Sequence, residues 1–287
     1  VSFAMPHVVL ITNATATHLE GFGSVDGVVL AKGEIIDGCA EDGVVVLNAD
    51  DAAFEIWAQR AGQRRVVGFS LDHNHPQAQY RCDQVQLHAT SSSFRLRFPG
   101  GEIDVTLPLP GRHNIANALA AAAVAIESGT SKTDVVAGLG NMSSVPGRLD
   151  VSLVKNGMVL IDDSYNASPS SFRAAVDVLV TLGHKRNART MVVAGDMAEL
   201  GEDAPAMHRS CGEYAREKGV NLLLCTGRLS SLTAAAFGAD AQHFDDREAL
   251  MRHVVNLAAP DLVMLVKGSR SAGMDRIVEQ LKVGEAC

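Results

Sequence analysis

The second half of the chain alternates short apolar runs with amphipathic stretches, and that alternation limits the fold more than any other feature of the sequence. Runs at 158–162, 190–194, 221–225, 241–244 and 262–266 have the length of buried strands. Between them, 169–182, 204–218, 229–236, 246–257 and 271–282 carry helical spacing. Strands separated by helices need crossover connections, so they run parallel with helices on both faces. The expectation is a doubly wound α/β sheet of about 140 residues. A further run at 151–154 pairs with 158–162 as a hairpin around Asn156-Gly157.

In such a sheet, ligands bind beyond the carboxyl ends of the strands. Three polar loops fall there. Asp162-Asp163-Ser164-Tyr165-Asn166 leads into Ser168-Pro169, an N-cap followed by a first helical residue. Gly195-Asp196-Met197-Ala198-Glu199-Leu200-Gly201 is also acidic, and Lys267-Gly268-Ser269-Arg270-Ser271 is basic, with hydroxyls at a helix start. The acidic loops suit ribose hydroxyls, Mg²⁺ or an amine. The basic loop suits a carboxylate or phosphate. For any one loop alone, capping and solvation explain the residues as well.

The first half reads differently. Runs at 8–13 and 43–48 are buried strands, and 24–36 is a helix with Val25, Val28, Val29, Lys32 and Ile36 on one face. A second helix spans 50–61. From Arg65 to Leu109 the period falls to two, with strands at 66–70, 85–89, 94–98 and 103–107. Pro99-Gly100-Gly101 turns the last two into a hairpin, an antiparallel flank on an α/β domain. His73 and His75 sit in a polar loop, where solvated side chains and a metal pair short of a third ligand are the two readings. An alanine-rich helix at 115–127 and another at 133–139 follow. Ser143-Ser144-Val145-Pro146-Gly147-Arg148 has linker chemistry and marks the domain boundary.

Composition narrows the function. With 287 residues, two domains are expected. A net charge of −8 with no basic block argues against a nucleic-acid partner. Five dispersed cysteines without a CxxC pair are expected to be reduced thiols of a cytoplasmic protein. No run approaches the ~18 apolar residues that span a bilayer, so no membrane insertion is expected. The start, Val1-Ser2-Phe3-Ala4-Met5-Pro6, has no signal-peptide chemistry and reads as the interior of a longer chain. Neither Gly-x-x-x-x-Gly-Lys-Ser/Thr nor Gly-x-Gly-x-x-Gly occurs as a phosphate cradle. From the residues alone, the chain is a two-domain α/β protein with a cleft for an anionic ligand, and no reaction can be read.

Five stretches together resemble one family. They are Asn13-Ala14-Thr15-Ala16-Thr17-His18-Leu19-Glu20, Ala31-Lys32-Gly33-Glu34-Ile35, the run from Gly111-Arg112-His113-Asn114 to Ala120, Val145-Pro146-Gly147-Arg148-Leu149, and Asp162–Asn166. The sequence is similar in these stretches to the ATP-dependent Mur ligases of peptidoglycan synthesis. The loops at 195–201 and 266–271 look like those of the member that adds D-Ala-D-Ala.

The resemblance implies ATP and Mg²⁺ as cofactors, and UDP-N-acetylmuramoyl tripeptide and D-Ala-D-Ala as substrates of a cytoplasmic, monomeric enzyme. It implies that residues 1–146 are the later part of a central ATPase domain with a mixed sheet, and 147–287 a Rossmann-like ligase domain. The family's N-terminal domain, P-loop and Mg²⁺-binding glutamate then have no counterpart in the sequence, so the chain alone is expected to be inactive. Lys32 matches a carbamylated lysine that helps position Mg²⁺, and His18 a ligand of a second Mg²⁺. His113, Asn114 and Asn117 match an adenine-contacting motif. Arg148 matches an arginine that reaches ATP, and Asp163, with Asn166 beside it, a nucleotide-binding aspartate. Lys267, Ser269 and Arg270 are the candidates, partly from charge, for a substrate carboxylate or the acyl phosphate. Two other readings remain at this stage: a folylpolyglutamate synthetase-like ligase, and a nucleotide- or peptide-binding module without catalysis.

Overall fold

The structure, a computed structural model, describes residues 4–17, 19–154 and 157–283. It divides into two units, Val1–Thr15 with Phe22–Ser143, and Ala16–Gly21 with Ser144–Cys287.

The first unit is built on β1 (Val8–Ile11). A single helical turn, α1 (Leu19–Phe22), follows in the chain. Then come α2 (Val25–Asp37), β2 (Val44–Asn48), α3 (Phe54–Ala61), β3 (Arg65–Ser70), β4 (Ala78–Leu87), β5 (Ser92–Phe98), β6 (Gly101–Leu107), α4 (Arg112–Glu127) and α5 (Lys132–Gly140). The strands lie in chain order, β1 to β4 parallel and β5 and β6 antiparallel. This is the mixed sheet with an antiparallel flank that the change of period predicts.

Strand alternation divides the core between the two faces. Val45 and Leu47 of β2 join Val29, Ile36 and Trp57 on the α2–α3 side. Val44 and Val46 join Ile115 and Leu119 on the α4–α5 side. The alanines of α4 at 118, 120, 122 and 123 are all buried, so their small side chains let that helix lie close to the sheet.

Several boundaries move for identifiable reasons. The helix expected from residue 50 starts at Phe54, because Asn48 and Asp51 side chains accept the amides of Asp50 and Ala53 and hold a turn there. The helix expected from residue 115 starts at Arg112 with Gly111 at its N-cap, and the Asn114 side-chain amide donates to the Pro110 carbonyl at 2.8 Å. Val25, read as part of the apolar face of α2, is exposed, whereas Val28, Val29 and Ile36 are buried.

The second unit runs β7 (Asp150–Leu153), β8 (Val159–Asp163), α6 (Pro169–Arg186), β9 (Arg189–Ala194), α7 (Ala204–Glu217), β10 (Leu222–Thr226), α8 (Ser230–Phe237), β11 (Ala241–Phe244), α9 (Arg247–Leu257), β12 (Leu262–Lys267) and α10 (Asp275–Val283). Its sheet order is β11-β10-β9-β12-β8-β7, parallel except for β7. Helices cover both faces, as expected for a doubly wound sheet. The β7–β8 pair is the expected hairpin, although Asn156 in its turn lies outside the described residues.

The Ser168 hydroxyl caps α6 in a box with Ser171, and Pro169 opens the helix. The basic loop after β12 differs from expectation. It forms a 3-10 turn at Arg270–Ala272, Gly273 takes a left-handed φ of 61°, and α10 starts only at Asp275. Its hydroxyls therefore do not sit at an α-helix N-terminus.

The α7–α8 packing gives a sharp test. A Cβ on Gly212 would stand 2.1 Å from the Thr233 carbonyl oxygen, so Gly212→Ala must push the two helices apart. A loss of about 1–3 kcal/mol is expected in urea unfolding. An unchanged midpoint would show that the helices are not in contact there.

Candidate functional site

The polar loops of the second unit converge because β9, β12 and β8 are neighbours in its sheet. Parallel register sets Lys267 opposite Asp163 at the ends of β12 and β8. Their side chains share a face, and the Lys267 ammonium meets the Asp163 carboxylate at 2.5 Å. It also donates to the Asn166 carbonyl at 3.0 Å.

Lys267 is 1% exposed. Burial pulls its pKa down and the Asp163 carboxylate opposes that pull. The other Asp163 oxygen accepts the Leu149 amide, and Asp162 accepts the Gly147 amide and the Ser164 hydroxyl. The two aspartates thus hold the 147–149 segment against the end of β8. Gly147, at φ 76°, also gives its carbonyl to the Tyr165 amide, and a Cβ there would lie 3.0 Å from the Tyr165 Cβ. The Arg148 guanidinium lies over the Tyr165 ring, 4.4 Å from its centre.

The loop after β9 is tied down at consecutive residues. Asp196 accepts the amides of Leu229 and Ser230 and the Ser230 hydroxyl, capping α8, while its carbonyl accepts the Ser269 amide. The Ala198 amide donates to the Ser269 hydroxyl at 2.7 Å. The Met197 amide donates to His208 Nε2 at 3.0 Å. Glu199 then takes a left-handed φ of 62°, uncommon for a non-glycine residue.

These loops enclose a cleft of about 520 Å³, lined by Tyr165, Asn166, Ala167, Ala198, Glu199, Leu200, Ser269, Arg270 and Ser271, with Thr17 of the Ala16–Gly21 segment. Ser269 and Arg270, expected to meet ligand, border it. Lys267 does not, since its charge is spent on Asp163. Asn166 borders it, with its own side-chain oxygen accepting the Ala167 amide.

In the first unit, the loop after β1 is held from several sides. Lys32 donates to the Asn13 carbonyl at 2.7 Å, Asn48 to the Thr12 carbonyl at 2.9 Å, and Asp51 accepts the Ala14 amide at 2.8 Å. Partial burial pulls the Lys32 amine below the usual lysine range, and Asp51 acts against it. His113 and Asn117 lie one helical turn apart on α4, Asn117 exposed. His18 lies outside the described residues.

The sequence reading missed His208, and it placed Glu199 and Tyr165 in candidate ligand loops without giving either a role of its own. His208 carried a signal: it falls on the inward face of α7, in step with Ala204, Cys211 and Ala215, all buried. The described cysteines 39, 82, 211 and 225 are buried thiols, and burial pushes Cys211 and Cys225 up to about 12.

Comparison with known proteins agrees along the chain. A model of the Mur ligase middle domain matches residues 1–125, and one of the Mur ligase glutamate ligase domain matches residues 147–270. The UDP-N-acetylmuramoyl-tripeptide–D-alanyl-D-alanine ligase of Escherichia coli strain K12 is 41% identical over 289 residues, covering 100% of this chain and 62% of the relative. The enzyme of the same name from Haemophilus influenzae is 38% identical, over 96% of this chain and 59% of the relative. A crystal structure of MurF from Acinetobacter baumannii superposes with a TM-score of 0.89 at 29% identity, over 98% of this chain and 61% of that one. The chain therefore spans about three fifths of the length of the relatives it matches. Strand order, loop chemistry and both family matches agree, and the chain belongs to the Mur ligase family, corresponding to its middle and C-terminal domains.

Proposed function

We propose that this chain supplies the later part of the central ATP-binding domain (1–146) and the ligase domain (147–287) of an ATP-dependent amide ligase. The reaction joins D-Ala-D-Ala to a UDP-N-acetylmuramoyl tripeptide. One observation carries the reading. The cleft of the second unit gathers a guanidinium, two hydroxyls and a carboxylate, from Arg270, Ser269, Ser271 and Glu199. A dipeptide zwitterion needs a cation and hydroxyls for one end and a carboxylate for the other.

ATP supplies the phosphoryl group that converts the tripeptide carboxylate to an acyl phosphate. The amine nitrogen of D-Ala-D-Ala, once it has lost its ammonium proton, then attacks the carbonyl carbon. The C–O bond to phosphate breaks as the amide forms. In this scheme Ser269 and Arg270 hold the dipeptide carboxylate, and Glu199 orients its amine. Lys267 and Asp163 act behind them, fixing the Asn166 loop by their mutual charge. Arg148 supplies a cation for the nucleotide. Asn117 suits an adenine edge because its amide offers both a donor and an acceptor, and His113 stands one helical turn before it.

No three His, Cys, Asp or Glu side chains converge among the described residues. Mg²⁺ carried on nucleotide phosphates keeps several waters and takes only one or two protein oxygens. A carbamylated Lys32 fits that sparse role: its lowered pKa favours the neutral amine that takes up CO₂, and its Nζ reaches the loop after β1 at the Asn13 carbonyl.

Phosphate release from ATP by the full-length polypeptide is expected only when tripeptide precursor and D-Ala-D-Ala are both present. Equal turnover with a folate and glutamate would overturn this in favour of the folylpolyglutamate-type reading. Tight ATP binding with no turnover on any acceptor would point to a binding module.

A further inference from the structure

His208 is absent from every functional role given above, yet it is 1% exposed and both ring nitrogens are engaged. Nδ1 lies 2.8 Å from the Ala204 carbonyl, one turn back on α7, so Nδ1 carries the proton. Nε2 is then a lone-pair acceptor, and the Met197 amide fills it. The helix thus fixes the tautomer, and the tautomer fixes the loop. The His208 carbonyl accepts the Thr233 hydroxyl at 3.1 Å, which secures this turn of α7 against α8.

Met197 stands two residues before Glu199, whose left-handed backbone lies outside the strands and helices and accepts the Leu19 amide at its carbonyl, 2.8 Å away. Such a conformation persists only where the surroundings over-determine it. Here three consecutive residues are clamped from three different elements. Asp196 is held by the start of α8, Met197 by α7 and Ala198 by Ser269. Only the Met197 clamp is a single side chain with no second bond to the loop.

We infer that His208 is a positioning residue, whose Nε2 anchors the Met197 amide and thereby sets the Glu199–Leu200 wall of the cleft. The link to the amine substrate rests on the ligase reading proposed above. The anchoring of the loop does not.

Asparagine and glutamine separate the two ring nitrogens. In His208→Asn the side-chain amide reaches the Ala204 carbonyl but falls short of Met197. In His208→Gln the longer chain carries its oxygen to the place of Nε2. Amide hydrogen exchange on this chain is expected to show Met197 about ten-fold less protected in His208→Asn, and within about three-fold of the parent in His208→Gln. Equal exchange in the two variants would overturn the inference.

In the full-length polypeptide, His208→Asn is expected to raise KM for D-Ala-D-Ala about ten-fold and leave KM for ATP unchanged, with His208→Gln restoring the parent value. An exchange contrast without any change in KM would overturn the link to the cleft wall. If the exchange contrast appears and the parent does not use D-Ala-D-Ala at all, the anchoring stands and the ligase reading fails.

Discussion

Lys267→Met is expected to cost about 3–5 kcal/mol of stability, because it leaves the Asp163 carboxylate buried without its counter-charge. The Asp163 side chain is only 11% exposed, and its remaining bond is to the Leu149 amide. Methionine fills a similar volume, so a cavity contributes little, and the loss reports on the charge. Urea unfolding followed through the second unit measures it. Lys267→Met combined with Asp163→Asn should recover much of the loss, since the neutral amide leaves no buried charge and keeps an oxygen for the Leu149 amide. A single-variant loss below about 1 kcal/mol would mean that water reaches the pair, contrary to its burial.

Asp196→Ala is expected to be the second most damaging change, at about 2–3 kcal/mol. It removes one acceptor from two backbone amides and a hydroxyl at the start of α8. Asp196→Asn should cost much less, because a single oxygen, Oδ1, takes the closest bonds to all three donors. If alanine and asparagine unfold at the same urea concentration, the cap contributes nothing and the carboxylate is there for its charge. Asp196 invites a reading as a ligand group, but the structure spends its carboxylate on a helix end, while Glu199 of the same loop borders the cleft.

That contrast shows where the sequence was readable and where it was not. Strand–helix alternation is written in local spacing, so β8 to β12 and the helices between them fall within a few residues of expectation. Ser168-Pro169 carries its own capping chemistry and was legible for the same reason. What a carboxylate or ammonium faces is set by register between strands far apart in the chain. Lys267 and Asp163 are 104 residues apart, and nothing near either of them announces that they neutralise each other. Lys267 therefore read as a free cation awaiting a ligand. The helix start expected at 271 failed for a local reason: Gly273 interrupts it, and the 3-10 turn before α10 keeps the spacing of a helix without being one. The β4 strand, expected only from residue 85, begins at Ala78; Gln84 takes a left-handed φ of 51° and the pairing with β5 shifts between Asp83 and Gln86, so one strand carries two phases of alternation.

The place of β12 in its sheet has a consequence for synthesis. It lies between β8 and β9 although it follows them by many residues in the chain. Until the ribosome has released Leu262–Lys267, those two strands have an empty slot between them, each with one unpaired apolar edge. Nascent chains of this protein should consequently depend on protection by a chaperone until nearly all of the unit has emerged. The element that completes the sheet also delivers Lys267, so the C-terminal unit gains its buried charge pair and its last internal strand in the same step of its birth.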